Sequence, residues 1–387
     1  MPLSKDKILQ FDLLDDVDLD RAIELFRPIN RISGLLTLVT EMPSSPRVPA
    51  VIFRNELKRA VGSTTAIEGN TLTENEIAAA FEKSDKGQTL NRLEQENQNI
   101  RNVYEFLVDQ TSADGPTEMS VGFLRQMHTF ITRDLPDPSN KPGQLRTGQV
   151  HFGVPLLPSL FPDQAGVETA VDGFVKWYNS SQQGLGGDPF LKALMSHYYI
   201  SEIHPFFDGN GRTARALEAY CLLTEARMPS QFFFLLSNYW YGNRDQYLQE
   251  LRNVRSTGSV AEFVGFGLTG VQKEMDYIRD RIVIKTSQLM FKDYVHYLYR
   301  EKKKRPHRLI RRMVNVLELL VEDEPQPLKK FMSSPPVRAL YSGVDSSTRS
   351  RHLKRLQENN LVLISGKRGA ETIEANIGIL RGVAYNV

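Results

Sequence analysis

The chain is poor in cysteine, in tryptophan and in uncompensated charge. One cysteine, Cys221, stands among 387 residues, which excludes an internal disulfide. Its neighbours Ala219, Tyr220, Leu222 and Leu223 are apolar, so the thiol reads as a buried structural group rather than a nucleophile. No apolar run reaches the roughly 20 residues that cross a bilayer. The first twenty residues are acidic and carry no signal-peptide pattern. These absences together favour the cytoplasm and no membrane partner. There is no GxxxxGK[ST] string and no HExxH, and the seven histidines lack metal-ligand spacing. A P-loop and a zincin site are thereby excluded. The formal net charge is only +2. It is uneven: from Pro306 onward there are 13 Lys and Arg against 8 Asp and Glu. That basic tail is compatible with nucleic acid without demanding it.

What is present is mostly helix. Apolar residues recur at helical spacing in Arg21–Leu38, Ile52–Thr65, Asn91–Thr111, Ser120–Leu135, Ala165–Asn179, Phe190–His204, Ala214–Glu225, Gln246–Arg255 and Val260–Ser287. Met42 to Pro49 reads as a Pro/Ser loop, and Pro136-Asp137-Pro138 as a helix stop. Gly69-Asn70 punctuates a helix end, and Thr73 with Glu76 forms a capping box for the next helix. Val150 to Val154 reads as a short hairpin. Arg300 to Arg312 holds eight Lys and Arg and reads as a domain boundary. Beyond it lie a helix over Leu309–Val321, a short helix after Ser334, a helix capped by Asp345 and a strand at Leu361–Ser365. That order is the texture of a winged helix-turn-helix.

Chemistry concentrates in His204 to Arg215, HPFFDGNGRTAR. Gly209, Asn210 and Gly211 sit between two predicted helices. A glycine loop at a helix N-terminus offers backbone N–H groups to an anion, and small residues let phosphate approach. Asp208 is placed to hold a hard cation such as magnesium on phosphate oxygens. Arg212 and Arg215 are about one turn apart and can clamp phosphate from one side. His204, neutral, can take a proton from an attacking hydroxyl. A base, a metal ligand, an anion cradle and two cations make the set of parts for phosphoryl or nucleotidyl transfer.

Every position of this string matches HPFx[D/E]GNGRxxR, and the segment resembles the signature of the Fic family, over roughly residues 60–270. The resemblance implies a mainly α fold: a Fic-type helical bundle with a small β-hairpin flap, followed by a small C-terminal winged-helix (α+β) domain. It implies that His204 is the general base and that Asp208 binds Mg2+. It gives Gly209, Asn210, Gly211, Arg212 and Arg215 the triphosphate of ATP. AMP would pass to a Ser, Thr or Tyr hydroxyl of a protein, with pyrophosphate released. The chain itself is one candidate substrate, and a homodimer is compatible with its helical faces. The expected layout is an N-terminal helical region over 1–112, a catalytic domain over 113–270, a connecting helix and basic linker over 271–305, and the winged helix over 306–387.

Thr64 to Asn70 resembles the family's autoinhibitory motif [ST]xxxE[GN], here Thr64, Glu68 and Gly69 on a helix over about 55–70. A carboxylate at a helix C-terminus is unfavourable to its own dipole unless paired elsewhere. If Glu68 pairs with Arg215, it takes the clamp meant for the γ-phosphate. Gly143 to Gly153 resembles the family's flap, where an exposed edge at Val150, His151 and Phe152 would hold a target's backbone. Asn243 and Tyr247 match positions that in the family often contact adenosine, although Leu248 replaces a tyrosine often found there. His197, two turns before His204, reads as structural. Two other readings stay open: a DNA-binding regulator whose core is a ligand or partner sensor, and a core that runs the reverse reaction or moves another phosphate-bearing group. In the first, Arg349, Arg351, Lys354 and Arg355 on Thr348–Gln357 would meet DNA.

Overall fold

Several helix starts in this protein follow from side chains able to satisfy first-turn amides. The computed structural model describes residues 3–15, 17–41, 47–112, 115–116, 118–136, 140–153, 156–180, 187–300, 308–367 and 369–380. Among these the chain runs through α1 (Lys5–Gln10), α2 (Leu19–Glu41), α3 (Arg47–Ile67), α4 (Glu74–Asp85) and α5 (Arg92–Asp109). It continues through α6 (Val121–Thr132), α7 (Gln164–Asn179), α8 (Pro189–Ile203), α9 (Asn210–Thr224), α10 (Leu236–Gly242), α11 (Arg244–Thr257) and α12 (Ala261–Arg300). Thr73 and Glu76 form the expected capping box of α4, and Asn91 with Glu94 forms a second one on α5. Ser120, Asp163 and Asp188 cap α6, α7 and α8. Gly69, at φ 97°, follows the end of α3.

Three helix expectations need correction. α3 already begins at Arg47, so Arg47 to Pro49 are helical rather than loop. α9 begins at Asn210, four residues before the expected Ala214, which puts Gly211 and Arg212 in its first turn. α12 runs on to Arg300, well past Ser287. Much of the expected Pro/Ser loop (42–46), the end of the expected hairpin at Val154, the expected stop at Asp137-Pro138 and the core of the basic linker lie outside the described residues.

Two compact units divide the chain, Met1–Arg279 and Asp280–Val387. In the first, α8 is apolar nearly all round, and twelve of its residues, from Phe190 to Ile203, are buried. A helix of that kind belongs at the centre of a bundle. α9 returns beside it, α3, α5, α6 and α7 pack against the pair, and α10 packs on α3. Leu107, Met127, Leu194, Leu217, Trp240 and Phe263, all fully buried, fill the space between. Among the described residues the sheet content of this unit is two ribbons: β1 (Thr111–Ser112) with β2 (Gly115–Pro116), and β3 (His151–Phe152) with β4 (Leu157–Pro158). In the second, antiparallel ribbon, His151 faces Pro158 and Phe152 faces Leu157.

The second unit follows the C-terminal part of α12 with α13 (Arg308–Leu320), β5 (Gln326–Pro327), α14 (Leu328–Ser333), α15 (Pro335–Leu340), α16 (Ser346–Glu358), β6 (Val362–Ser365) and β7 (Thr372–Ala375). Its antiparallel sheet has the order β5-β7-β6. Met313, Leu317, Phe331, Val337, Leu356 and Ile373 form its core. Among the described residues no helix is long and apolar enough to cross a membrane.

Candidate active site

The loop between α8 and α9 is held from three directions, and that fixes what it presents. His204 terminates α8 in the left-handed region, at φ 51° and ψ 59°. Such a conformation strains a residue with a Cβ by about 1–3 kcal/mol and persists only where surroundings impose it. Arg146 supplies part of that constraint. It is fully buried and donates to the carbonyls of His204 (2.6 Å), Gly148 (2.7 Å) and Ile203 (3.2 Å), and to the Ser159 hydroxyl (2.7 Å). Burial among these neutral acceptors draws its pKa down to about 10. The Asn210 amide supplies more: it accepts from the Phe206 N–H and donates to the Phe206 carbonyl, both at 2.8 Å.

His128, on α6, is the third tie. The Gly143 N–H donates to its Nδ1 (2.9 Å), so its proton sits on Nε2, which donates to the Asp208 carbonyl (2.9 Å). Its ring stacks on Phe206 with centroids 3.7 Å apart, and burial pushes its pKa down to about 4. Gly209 adopts φ 76°, and a Cβ there would meet Thr132 and the His128 ring. Glycine is therefore required at this position on two counts. Neither His128 nor Arg146 is among the site residues that the sequence predicts. The only signal available was that each stands in a segment otherwise rich in glycine, proline or apolar residues.

His204 Nδ1 lies 3.2 Å from the Ser201 carbonyl. A carbonyl only accepts, so Nδ1 carries the proton and Nε2 keeps its lone pair. The ring stacks on Phe152 of β3, with centroids 4.0 Å apart and planes 1° from parallel. Burial pushes its pKa down to about 4, so at neutral pH it is an uncharged acceptor.

α9 starts at this loop with no side chain capping its first turn, leaving its N-terminal amides and dipole for an anion. Arg212, 6% exposed, pairs with Asp208 at 3.2 Å, while its Nε has no hydrogen-bond partner among the described residues. Asp208 itself is half-exposed. One carboxylate at the mouth suits magnesium that arrives on phosphates and keeps its waters, rather than a closed protein cage. Groups of three potential metal ligands are absent among the described residues.

Arg215 is almost fully buried and heavily engaged. It donates to the Thr64 hydroxyl (2.8 Å), the Thr64 carbonyl (3.1 Å), Glu68 Oε1 (2.7 Å) and the Tyr247 hydroxyl (3.4 Å). Burial raises the Glu68 carboxyl, and the charge and hydrogen bond of Arg215 more than offset this, leaving it below the ordinary carboxylate range. Arg244 donates to the Ile67 carbonyl at 3.0 Å, so a second cation secures the end of α3. Behind Arg215 a buried chain continues. His197 Nε2 is 2.9 Å from the Tyr247 hydroxyl, and its Nδ1 is 2.5 Å from Glu218 Oε2. Trp240 Nε1 donates to the same carboxylate at 3.2 Å.

A cavity of about 330 Å³ joins some of these groups, while Asp208, Gly209, Asn210 and Arg212 are not part of its lining. Glu68, Phe152, His204, Gly211, Arg215 and Tyr247 all line it. Asn243 does not; its amide donates to the Tyr239 carbonyl at the end of α10 (2.9 Å). Val150 pairs with Ser159 at the base of the hairpin and His151 is exposed.

Residues 118–222 match the model of the Fic/DOC family. This segment is a Fic domain. The chain is homologous to protein adenylyltransferase fic-1 of Caenorhabditis elegans, 32% identical over 158 residues, or 40% of this chain and 29% of that protein. It is likewise 33% identical over 136 residues to protein adenylyltransferase Fic of Aedes aegypti, covering 35% of this chain and 24% of the relative. The chain thus spans less than a third of the length of these curated relatives. The fold resembles a Fic family protein from Desulfovibrio desulfuricans G20 at TM-score 0.57 and 18% identity, over 93% of this chain and 97% of that one. It also resembles fic-1 of C. elegans, residues 134–508, at TM-score 0.53 and 22% identity, over 66% of this chain and 72% of that one. The Fic domain covers α6 to α9 and with them the loop, both cationic positions and the hairpin. Glu68 and Thr64 lie outside the matched residues.

Proposed function

We propose that this protein is an autoinhibited adenylyltransferase, moving AMP from ATP to a Ser, Thr or Tyr hydroxyl of a protein. The observation that carries the proposal is the shared cleft. It unites the free Nε2 of His204, the uncapped start of α9 and an arginine already occupied by Glu68. In the proposed reaction the target hydroxyl gives its proton to His204 Nε2 as its oxygen bonds to the α-phosphorus. The bond from that phosphorus to the bridging oxygen breaks, and pyrophosphate leaves. The first-turn amides of α9 and Arg212 hold the phosphate oxygens against the growing charge. Asp208 would hold magnesium on the phosphates, and that ion supplies charge neutralisation. The hairpin carrying Val150, His151 and Phe152 would present its edge to the target's backbone, near His204.

Glu68 holds the reaction off by electrostatics. With its carboxylate on Arg215, a γ-phosphate meets an anion where it needs a cation, and the triphosphate settles without in-line geometry at the α-phosphorus. ATP labelled on its α-phosphate tests this directly: Glu68→Gly should label itself or a protein in lysate strongly, and Glu68→Gly/His204→Ala should not. We read the protein as cytoplasmic, on its single buried thiol.

One observation favours a second activity in the same chain. Arg351, Lys354 and Arg355 are exposed on α16, which follows α14 and α15 and precedes the β6–β7 ribbon. That order suits a winged helix offering α16 to DNA. A gel shift on mixed-sequence duplex that weakens steeply with salt would support it, and no shift at low salt would remove it.

A further inference from the structure

A second cavity, of about 230 Å³, opens between α3, α5 and the segment joining α9 to α10, and shares no lining residue with the transfer cleft. Its depth is aromatic. Tyr104, Phe233 and Phe234 are buried there, and Phe53, half-buried on α3, adds a fourth ring. Tyr104 stacks on Phe234 with centroids 5.3 Å apart and meets Phe233 edge-on at 5.6 Å, while Phe53 tilts against Phe234 at 6.0 Å. A hollow walled by rings already packed on one another owes its shape to no occupant.

The rim is acidic. Glu105 and Asp109 line the cavity one turn apart on α5, and both are exposed. Arg101 holds Glu105 at 2.9 Å, whereas Asp109 has no ion pair among the described residues. Asp109 is the last residue of α5, and the last turn of that helix contains no basic side chain. A carboxylate and the negative end of a helix dipole therefore meet at one point, where a cation satisfies both. No cationic side chain lines the cavity. Size narrows the occupant further. An apolar cavity of about 150 Å³ takes up benzene, so this one has room for one ring and a short arm.

We propose that this cavity binds a small aromatic amine in its protonated form, with the ring among Phe53, Tyr104 and Phe233 and the ammonium at Asp109 and Glu105. Its place in the fold gives such a ligand a regulatory role. Phe53 and Leu57 line it from α3, and Glu68 follows Leu57 by eleven residues, about three turns. The Tyr104 hydroxyl lies 3.4 Å from that of Ser237 and feels the charge of Arg215. An occupant adds apolar contact to α3 in its docked position, and a ligand that favours one arrangement shifts the population toward it. The amine should therefore strengthen the Glu68–Arg215 pairing and lower transfer. That coupling rests on the inhibitory reading of Glu68; the binding site does not.

Calorimetric titration of the full chain with phenethylamine tests the site, with phenylethanol and phenylacetate as neutral and anionic analogues, at neutral pH and low salt. The amine should bind at least ~5-fold more tightly than the alcohol, and the acid most weakly. Glu105→Gln/Asp109→Asn should bring amine and alcohol within ~2-fold of each other. Val108→Phe, which fills the cavity from α5, should abolish binding of both. Ser230→Phe fills it from the opposite side and keeps the test open if Val108→Phe fails to fold. Equal affinity for amine and alcohol, or a preference that survives loss of both carboxylates, would overturn the ligand class. No heat with millimolar amine, or binding untouched by either filling variant, would overturn the site. For the coupling, saturating amine should lower self-labelling of the wild type from α-labelled ATP by at least ~2-fold and leave Glu68→Gly unchanged. Binding without that drop, or an equal drop in Glu68→Gly, would overturn the link to α3 and leave the site standing. If Glu68→Gly does not label at all, the nucleotidyl reading falls and takes the coupling with it, and the site stands or falls on the calorimetry alone.

Discussion

A single carbonyl, that of Ser201, decides which nitrogen of His204 holds the proton. The same local logic sets His128, where the Gly143 amide forces the proton onto Nε2. Both rings have pKa values near 4 because burial disfavours the cation. NMR titration of the imidazoles should therefore find both neutral at pH ~6, with protonation only below ~5. An ordinary midpoint of 6.5 for His204 would contradict the geometry. Arg146 makes a different prediction. Arg146→Ala removes four hydrogen bonds and uncaps α8, and should cost about 2–4 kcal/mol in urea unfolding. Arg146→Lys should recover little, since an ammonium lacks the planar fork that reaches these acceptors. Full recovery would mean that charge, not shape, is what the site requires. The twelve-residue string holding His204, Asp208 and both arginines was legible because its members are neighbours in sequence. His128 was not, since it acts on Asp208 from 80 residues away and only the folded bundle brings them together.

At the scale of elements, two helix ends face each other: the start of α9, short of a cap, and the end of α3, carrying an acid where its dipole disfavours one. Each supplies what the other lacks, through Arg215. The Thr64 hydroxyl shares in this by accepting from Arg215 Nε. Thr64→Val should loosen the clamp by about 1 kcal/mol. Self-labelling should then rise above wild type and stay below Glu68→Gly. A fall below wild type would mean that Thr64 serves the active state instead. The helices themselves were readable from periodicity and caps, as Thr73 and Asp345 illustrate. The start of α9 was not, because glycines disguise a first turn whose stability comes from the Asn210–Phe206 bonds rather than propensity. α10, seven residues dense in aromatics and ending on Gly242, lacked the length for a periodic signal.

At the scale of the molecule, buried titratable groups oppose one another. His128 and His204 have an ordinary value of 6.5 and a folded value near 4, so between these the unfolded chain binds more protons and acid destabilises the fold. Glu202 and Glu274 run the other way, from 4.5 to about 7 on folding, so between these the folded chain binds more protons and acid stabilises it. The windows overlap between 4.5 and 6.5. Thermal unfolding of the wild type should change little across that range. Glu202→Gln/Glu274→Gln should lose stability steadily as pH falls through it. Equal slopes for the two proteins would refute the assignment of these buried groups.

One ion pair joins residues 147 positions apart, Glu68 and Arg215, and on it rests the proposal that the transfer site is held off by the residue that follows the chain's own α3. The most direct measurement is incorporation of α-labelled AMP into the wild type, Glu68→Gly and Glu68→Gly/His204→Ala, side by side with magnesium. The expected result is weak labelling, strong labelling and none. Equal labelling of the wild type and Glu68→Gly would contradict the inhibitory role of Glu68, and labelling that survives the loss of His204 would contradict its role as the base.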